Sequence, residues 1–380
     1  MSPFAGYRVD SGVGIRRAAG AMAQQDIAGA TRMAGDPLAV IAAAAPLADI
    51  TDAATIAARY YGLQVSAREL VSERDRNFHL QADDGRQFVL KITNAAEDPL
   101  VTDFQIKALL HIAAQVTDVS VPMVVPTTDG RYSFDYATAQ GRHVTRLVTY
   151  LDGVLMRSRP VSSALSRDFG RYAANLGRAL RGFEHPGADH ALLWDMRQAV
   201  RVRDLVDYIR DDELRGRVAD CLDAFIEKVL PQFPTLRTQI IHNDMNPENV
   251  LIDPHDDSQV VGVFDFGDMV RSPLIVDVAV AAAYMRNLDG DPLPLLAEFV
   301  AGYHRITPLL PEEVDLVFDL TRVRLATTTA ILHWRIDARG ADDPYLGIAT
   351  STESTAARFL AKLDEIPRQQ AQATFRQALD

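Results

Sequence analysis

The chain has 380 residues, of which 39 are Lys or Arg and 51 are Asp or Glu, so its formal net charge is −12. This acidic balance disfavours nucleic acids and anionic membranes as partners, because both bind basic protein surfaces. One cysteine, Cys221, excludes an internal disulfide framework and a cysteine-built metal site, and no apolar run approaches the roughly 18–20 residues that cross a bilayer. We therefore expect a cytoplasmic globular protein.

The first 46 residues are rich in Ala and Gly and almost free of aromatic side chains. We interpret 1–46 as a flexible extension without chemistry of its own. Order is predicted to begin near Thr51 and Asp52, which can cap the N-terminus of a helix, and Gly62 is expected to end that helix.

Strand-forming patterns dominate residues 47–149. Segments 77–82 and 87–93 flank an Asp-Gly turn, which is typical of a hairpin. Pro99 opens a segment whose apolar residues recur at a helical spacing. Further strands are predicted over 121–126, 131–136 and 142–150. This part is therefore expected to be one small antiparallel sheet that carries one main helix.

From residue 150 to 380 the spacing of apolar residues is mainly helical. The predicted helices span 162–183, 192–209, 212–230, 273–287 and 311–339. Short strand-like segments interrupt them at 239–241, 250–253 and 260–264. Polar, irregular turns beside these segments disturb the packing of a helical region, so they indicate a functional site.

Acidic residues concentrate at those turns. Between His242 and Asp268 the chain has seven of them and no Lys or Arg. The hairpin within this stretch is predicted to bring Asp244, Asn249 and Asp265 together, and oxygen ligands of this kind suit Mg²⁺. The order of Asp, Asn and Asp-Phe-Gly matches the phosphoryl-transfer pattern of a catalytic Asp followed by two metal ligands.

Other features have competing interpretations. Lys91 lies in an apolar strand, where either nucleotide phosphates or a position at the edge of the sheet would account for its charge. A second Asp-Phe-Gly, at 168–170, lies within a predicted helix, so we interpret it as structural. His242 is interpreted as a structural histidine that hydrogen-bonds the backbone of its loop.

The chain resembles the aminoglycoside phosphotransferase/choline kinase superfamily of protein-kinase-like small-molecule kinases in segments 241–251 (IHNDMNPENVL) and 264–268 (FDFGD). It resembles the hydroxylysine kinase branch in 72–78, 88–98, 103–105, 193–195 and 265–270. The resemblance extends from about residue 50 to the C-terminus. It implies an α+β, bilobal fold, with a small antiparallel-sheet N-lobe at 47–149 and a larger, mainly helical C-lobe at 150–380.

The resemblance also implies roles for individual residues. Asp244 would accept the proton of the substrate hydroxyl, while Asn249 and Asp265 would hold Mg²⁺. Lys91 would contact the nucleotide phosphates. The hinge residues are Tyr150 and Leu151, and their backbone amides would bind the purine. Because side-chain identity does not distinguish ATP from GTP, either nucleotide could be the phosphoryl donor.

The chain departs from the family pattern in its N-lobe. It has no Gly-rich loop between the first two strands, so Ser72 and Asn77 would cover the phosphates instead. Gln105 stands at the position where relatives place the glutamate that pairs with the lysine. This difference weakens the expectation of an ion pair between Lys91 and the helix that contains Gln105. Asp277 resembles the structural Asp that braces the catalytic loop.

Two features favour a small acceptor over a protein. Pro273 follows Gly267 by only six residues, which leaves no long segment for docking a peptide, and Asn243 replaces the arginine that would bind an activating phosphate. An acidic chain also attracts a cationic acceptor.

The acceptor contacts each have an alternative. Asp268 is a candidate for binding an ammonium group or for capping a helix. Trp194 and Asp195 would form an amine-binding wall, although a tryptophan is more often a core residue. An amino-acid acceptor would need a carboxylate receptor. Candidates on one predicted helix, with solvated surface as the alternative, are Arg322, Arg324 and Arg335.

These inferences favour a kinase that phosphorylates a hydroxyl of an amine-bearing metabolite, with hydroxylysine as the favoured acceptor. An aminoglycoside phosphotransferase is the alternative within the same class. A catalytically weak, nucleotide-binding kinase-like module is the alternative from another class. The expected assembly is a monomer or a homodimer.

Overall fold

The computed structural model describes residues 43–72, 74–115, 118–339 and 355–379. The extension predicted over 1–46 therefore lies, apart from its last four residues, outside the described residues.

The first helix, α1 (Ile50–Tyr61), begins slightly earlier than predicted. Its N-cap is Asp49, whose carboxylate accepts the backbone N–H groups of Thr51 and Asp52. The carboxylate of Asp52 accepts the N–H of Asp49 in return, which completes a capping box. Gly62 ends the helix at a φ of 66°, as predicted.

The strands that follow form one antiparallel sheet. They are β1 (Val65–Leu70), β2 (Arg76–Ala82), β3 (Gln87–Ile92), β4 (Val124–Val125), β5 (Phe134–Thr138) and β6 (Gly141–Thr149). The strand order is β1-β2-β3-β6-β4, and β5 also pairs with β6. The strand predicted over 121–126 shortens to β4 because Pro122 and Pro126 have no N–H for a ladder. Strand β1 was not predicted separately, since its half-exposed residues give a weak pattern.

Helix α2 (Pro99–Ala113) is the predicted helix of this part, capped by the side chain of Asp98. The two faces of the sheet differ. Buried apolar residues lie in register on the face that packs with α1: Phe78, Leu90 and Leu147. Polar residues lie in register on the opposite face: Asn77, Lys91 and Arg146.

Helices dominate the rest of the described chain. They are α3 (Ser163–Ala179), α4 (Ala199–Arg203), α5 (Asp212–Lys228), α6 (Leu274–Ala282), α7 (Leu293–Ile306), α8 (Pro311–Val314), α9 (Val317–Arg339), α10 (355–364) and α11 (Arg368–Gln377). The helix predicted over 192–209 is wrong: short 3₁₀ turns flank α4 there, because Asp195 caps a separate turn. Helices α7, α10 and α11 were not predicted.

Short strands lie among these helices. They are β7 (Val154–Leu155), β8 (Thr238–Ile241), β9 (Val250–Ile252), β10 (Val260–Val263) and β11 (Val270–Pro273). They pair in the order β10-β9-β7 and as β11 with β8. Strands β8, β9 and β10 match the predicted segments. The helix predicted from Pro273 starts one residue later, because Pro273 ends β11.

Two glycines allow α3 and α7 to cross closely. A Cβ on Gly170 would lie 2.0 Å from the carbonyl oxygen of Phe299, and a Cβ on Gly302 would lie 1.9 Å from that of Arg167. Gly170 belongs to the second Asp-Phe-Gly, so its role there is to permit helix packing.

Two apolar cores stabilise the described residues. The smaller lies between α1 and the sheet, and the larger fills the helical part. Helix α2 lies between β3 and β4 of the sheet in sequence, yet its buried residues Phe104 and Ile112 belong to the larger core. No helix of the described residues has the length and apolar character needed to cross a membrane.

Candidate active site

The loop between β8 and β9 has a strained backbone and is held in place by a buried carboxylate. Asn243 adopts a φ of 63°, a left-handed conformation that is uncommon for residues other than glycine. The carboxylate of Asp277, on α6, accepts the N–H of Asn243 at 2.8 Å and that of His242 at 3.4 Å. Burial raises the pKa of Asp277 to about 6. Asp277 thus occupies the bracing position that the sequence predicts.

His242 is buried beneath the same loop. Its Nδ1 accepts the backbone N–H of Asp244 at 3.2 Å. Burial lowers the pKa of His242 to about 4, so the ring is neutral at pH 7. These contacts match the structural role predicted for this histidine.

Asp244 is the most heavily contacted carboxylate of the loop. Its Oδ2 accepts Nδ2 of Asn249 at 2.7 Å, and its Oδ1 accepts Nδ2 of Asn246 at 2.9 Å and Nη2 of Arg324 at 3.2 Å. Its side chain is 20% exposed. Burial, followed by the charge of Asp268, raises the pKa of Asp244 well above its ordinary value. A carboxylate with a raised pKa is suited to accept a proton near neutral pH.

Asn249 and Asp265 are brought together by the β9–β10 hairpin. The N–H of Phe264 donates to the carbonyl of Asn249 at 3.0 Å, one residue before Asp265. Nδ2 of Asn249 also donates to the carbonyl of Asp244 at 3.0 Å, so its Oδ1 is the side-chain atom that remains for a cation. Asp265 adopts a φ of 62°, and its side chain is 45% exposed.

Lys91 reaches across from β3 to this hairpin. Its Nζ lies 3.1 Å from Oδ1 of Asp265, and this charge lowers the pKa of Asp265 to about 2. Gln105, on α2, accepts Nη2 of Arg146 at 2.6 Å and donates to the carbonyl of Gly267 at 3.4 Å. Lys91 thus pairs with the carboxylate of Asp265, while Gln105 on α2 pairs with Arg146 and the Gly267 carbonyl.

The loop between β1 and β2 also contacts the Asp-Phe-Gly segment, through a residue that sequence reasoning missed. Arg74 donates from Nη2 to the carbonyl of Gly267 and to Oδ1 of Asp268, both at 3.2 Å. The predicted Ser72 lies half-buried in this loop. Asn77 is buried beside Lys91 in the register, and its Oδ1 has no hydrogen-bond partner among the described residues. Arg74 belongs to the motif at 72–78, but its partner Asp268 lies nearly 200 residues away in sequence. The local pattern therefore gave no signal of this contact.

The predicted hinge residues, Tyr150 and Leu151, directly follow β6. The N–H of Tyr150 donates to the carbonyl of Gln87 at 3.0 Å, so that amide is engaged within the sheet. The ring of Tyr150 is exposed at its surface and lies edge-on to His79. Leu151 is half-buried.

The chain is similar to phosphotransferases over most of its length. The model of the family described as "Phosphotransferase enzyme family" matches residues 66–325, which is more than half of the chain. The chain belongs to this family. It is 26% identical over 325 residues to hydroxylysine kinase of Danio rerio, which covers 83% of this chain and 91% of that protein. It is 25% identical to hydroxylysine kinase of Mus musculus, covering 82% and 89% respectively.

Solved structures share the fold of this phosphotransferase. The microcompartment-associated aminopropanol kinase superposes with a TM-score of 0.66 at 18% identity, covering 83% of this chain and 97% of that one. An amicoumacin kinase in complex with AMP-PNP and Ca²⁺ superposes with a TM-score of 0.58 at 15% identity, covering 80% and 89%. These likenesses confirm the predicted α+β, protein-kinase-like fold.

The residues that the sequence predicts to bind the amine of the acceptor, Trp194 and Asp195, are not placed as expected. Asp195 is 1% exposed and caps a 3₁₀ turn: its carboxylate accepts the N–H of Arg197 at 3.0 Å and Nε at 2.6 Å. This engagement replaces the predicted amine-binding role of Asp195. Trp194 is also buried, and its ring supports two guanidinium groups, those of Arg324 at 4.7 Å and Arg335 at 5.3 Å.

The remaining acceptor candidates are placed as follows. Asp268 is buried against Arg74 and does not cap a helix, because β11 separates it from α6. Arg322 forms an ion pair with Asp364 at the surface, 3.0 Å from its Nε. Asp168, of the second Asp-Phe-Gly, accepts the N–H of Val260 at 2.8 Å, which agrees with a structural role.

The residues of the site suit a divalent cation. The charges of Asp268 and Asp265 both raise the pKa of Asp244, so the carboxylates repel one another. The carboxylate of Asp265 and Oδ1 of Asn249 are hard-oxygen donors of the kind that Mg²⁺ prefers. These are the residues that would hold the metal.

Proposed function

We propose that this phosphotransferase is a small-molecule kinase that transfers the γ-phosphate of ATP or GTP to a hydroxyl of an amine-bearing metabolite, with hydroxylysine as the favoured acceptor. The observation that carries the proposal is the partly exposed Asp244 carboxylate, held by Asn249 beside the Asp265–Lys91 pair. The hydroxylysine kinases that resemble the chain along most of its length support the choice of acceptor.

Asp244 performs the proton transfer in this proposal. The acceptor hydroxyl donates a hydrogen bond to the Asp244 carboxylate. Its oxygen forms a bond to the γ-phosphorus while the bond from that phosphorus to the β,γ-bridging oxygen breaks, and the proton passes to Asp244. The products are the phosphorylated acceptor and the nucleoside diphosphate. Contacts from Asn249, Asn246 and Arg324 orient the carboxylate for this step.

Lys91 and the metal ligands serve the nucleotide. Asn249 and Asp265 would hold Mg²⁺, which when bound neutralises charge on the phosphates. Lys91 contacts the α- and β-phosphates from the polar face of the sheet, with Ser72 and Asn77 covering them. Leu151 and the neighbouring hinge backbone bind the purine.

The test is a nucleoside diphosphate release assay with ATP and with GTP, in the presence of Mg²⁺. The acceptors are 5-hydroxylysine, 1-amino-2-propanol and an aminoglycoside. We expect the highest kcat/KM with 5-hydroxylysine. Preference for the aminoglycoside would favour the antibiotic phosphotransferase instead, and nucleotide binding without turnover on any acceptor would favour the binding module.

The division into lobes, the assembly and the cellular location also stay predictions. We propose that the lobes divide at the hinge, into 47–149 and 150–380, and that the enzyme is a monomer or a homodimer in the cytoplasm. The separate apolar core between α1 and the sheet supports the division. Sedimentation equilibrium would measure the assembly.

A further inference from the structure

Arg324 is deeply buried, and only part of its guanidinium group is hydrogen-bonded. It is 2% exposed on α9, and Nη2 lies 3.2 Å from Oδ1 of the catalytic Asp244. Its Nε and Nη1 are buried and have no hydrogen-bond partner within 3.5 Å among the described residues, and the Tyr284 phenol interacts with the guanidinium only weakly from beside it. A buried charged donor without a partner is costly, which points to a ligand that supplies the missing acceptors.

The surroundings of Arg324 hold the guanidinium in one place. The ring of Trp194 lies 4.7 Å from its central carbon, and the same ring also faces Arg335 at 5.3 Å. The phenol of Tyr284 is buried beside it, and the charge of Arg324 partly offsets the rise that burial causes in the pKa of Tyr284. Two guanidinium groups thus face one aromatic ring, which restricts the orientation of Arg324.

The chemistry of the missing ligand follows from the shape of the donor. A guanidinium presents parallel N–H groups that match the two oxygens of a carboxylate. Nη2 takes part in both parallel pairs, one with Nε and one with Nη1, and it contacts Asp244 through one of its two N–H groups. A carboxylate bound by its other N–H group together with Nε or Nη1 would therefore lie only a short aliphatic chain away from the reacting hydroxyl.

We propose that Arg324 binds the carboxylate of the acceptor, so that the enzyme selects hydroxylated amino acids over amino alcohols. The inference rests on the proposed function and specifies the acceptor class of the same site. An amino alcohol would leave the buried guanidinium unpaired, which is the kind of penalty that gives a polar site its selectivity. Asp244 binds the hydroxyl and Arg324 binds the opposite end of the chain.

The experiment compares 5-hydroxylysine with 1,5-diaminopentan-2-ol, which has the same hydroxyl and both amines but no carboxylate. In the unsubstituted enzyme, kcat/KM is expected to be about 10- to 100-fold higher for 5-hydroxylysine, the range of a hydrogen bond to a charged group. In Arg324→Gln this ratio should fall to near one. Any loss through Asp244 affects both acceptors alike, so the ratio reports the carboxylate contact alone.

Arg322→Gln is the matched control, since it removes the same charge from the same helix and its partner is Asp364 at the surface. It should keep the ratio of the unsubstituted enzyme. If Arg324→Gln does not fold, Arg324→Lys replaces it, and the ratio should still fall severalfold because an ammonium group cannot make two parallel bonds.

Two results would overturn the inference. One is an unsubstituted enzyme that uses both acceptors equally well. The other is a substitution of Arg324 that lowers both activities by one factor and keeps the ratio. Failure of the proposed function is distinguishable, because neither acceptor would then be phosphorylated by the unsubstituted enzyme with either nucleotide.

Discussion

Three carboxylates of the site each face a cation, and each cation comes from a different element. The pairs are Asp244 with Arg324, Asp265 with Lys91, and Asp268 with Arg74. The distribution separates their roles. Asp265 is held ionised by Lys91, whereas burial and Asp268 favour a proton on Asp244. One site thereby contains two carboxylates whose pKa values are shifted in opposite directions, as the proposed roles of metal ligand and proton acceptor require.

Asp244→Asn should abolish most phosphoryl transfer without unfolding the protein. The amide keeps the shape of the side chain but cannot accept the hydroxyl proton, so kcat should fall about 10²- to 10⁴-fold. Steady-state kinetics and a thermal unfolding curve measure both effects.

Asp168→Asn is the control for that substitution, because it makes the same change in the second Asp-Phe-Gly. The amide oxygen can still accept the N–H of Val260. Turnover should stay close to that of the unsubstituted enzyme. Similar losses at Asp168 and Asp244 would contradict the assignment of the site.

Asp277 should make stability depend on pH in a defined direction. Its pKa in the folded protein is about 6, above its ordinary value of 3.8, so the folded state binds the proton more tightly than the unfolded state. The free energy of unfolding contributed by this group therefore falls as pH rises from about 4 to 6, by roughly 3 kcal/mol in total.

Asp277→Asn removes that dependence. Relative to the unsubstituted protein, the variant should gain about 2–3 kcal/mol of unfolding free energy between pH 4 and pH 7, whatever its stability at pH 4. Urea unfolding at several pH values measures the difference. Parallel curves for the two proteins would show that Asp277 does not titrate in this window.

Residues near one another in sequence were the predictable part of the site. Asn249 and Asp265 flank the β9–β10 hairpin, and Asp244 lies five residues before Asn249, so the sequence predicts that these three side chains lie close together. Arg324 pairs with Asp244 from 80 residues away. Its burial contradicts the usual preference of arginine for the surface, so its contact with Asp244 could not be read from local pattern.

At the scale of elements, the crossing of α3 and α7 depends on glycine. Gly170→Ala would place a Cβ 2.0 Å from the carbonyl oxygen of Phe299, so the helices would have to move apart. We expect a loss of about 1–3 kcal/mol of unfolding free energy, the usual cost of overpacking. Denaturant unfolding measures it.

Gly216→Ala is the matched control in helix α5. A Cβ there has no atom within 4 Å, so alanine should stabilise the helix by about 0.5–1 kcal/mol. Opposite signs for the two substitutions are expected. A neutral Gly170→Ala would mean that the crossing tolerates a methyl group.

Elements with strong local signals were predicted well, and the others needed tertiary context. The Asp-Gly turn indicates β2 and β3, and Pro99 indicates α2, because turn and cap chemistry is local. Residues 192–209 have a helical spacing of apolar residues, but these face the core from short turns around α4. Only the packing distinguishes the two arrangements.

At the scale of the whole molecule, two ion pairs tie the sheet to the helical part. Lys91 reaches Asp265 from β3, and Arg74 reaches Asp268 from the loop that precedes β2. Both pairs end on the Asp-Phe-Gly segment. The position of the loop between β1 and β2, which we propose covers the nucleotide, is therefore coupled to that of Asp265, the proposed metal ligand.

Arg74→Ala should disturb both stability and nucleotide binding. Asp268 would remain buried without its cation, which costs about 3–5 kcal/mol of unfolding free energy for a buried pair. The loop would also lose its anchor on the Gly267 carbonyl, so KM for the nucleotide should rise severalfold. Thermal unfolding and steady-state kinetics measure these effects.

Two further variants separate charge from loop position. Arg76→Ala removes an arginine from the same region whose partners are the exposed Glu69 carboxylate and the Pro46 carbonyl, neither of them in the Asp-Phe-Gly segment, so KM should stay unchanged and stability should fall less than in Arg74→Ala. Asp268→Asn combined with Arg74→Ala removes the unpaired charge and should restore part of the stability, while KM stays high because the anchor is still missing. Recovery of both quantities would mean that the loop needs no anchor and that the charge of Asp268 alone disturbs nucleotide binding.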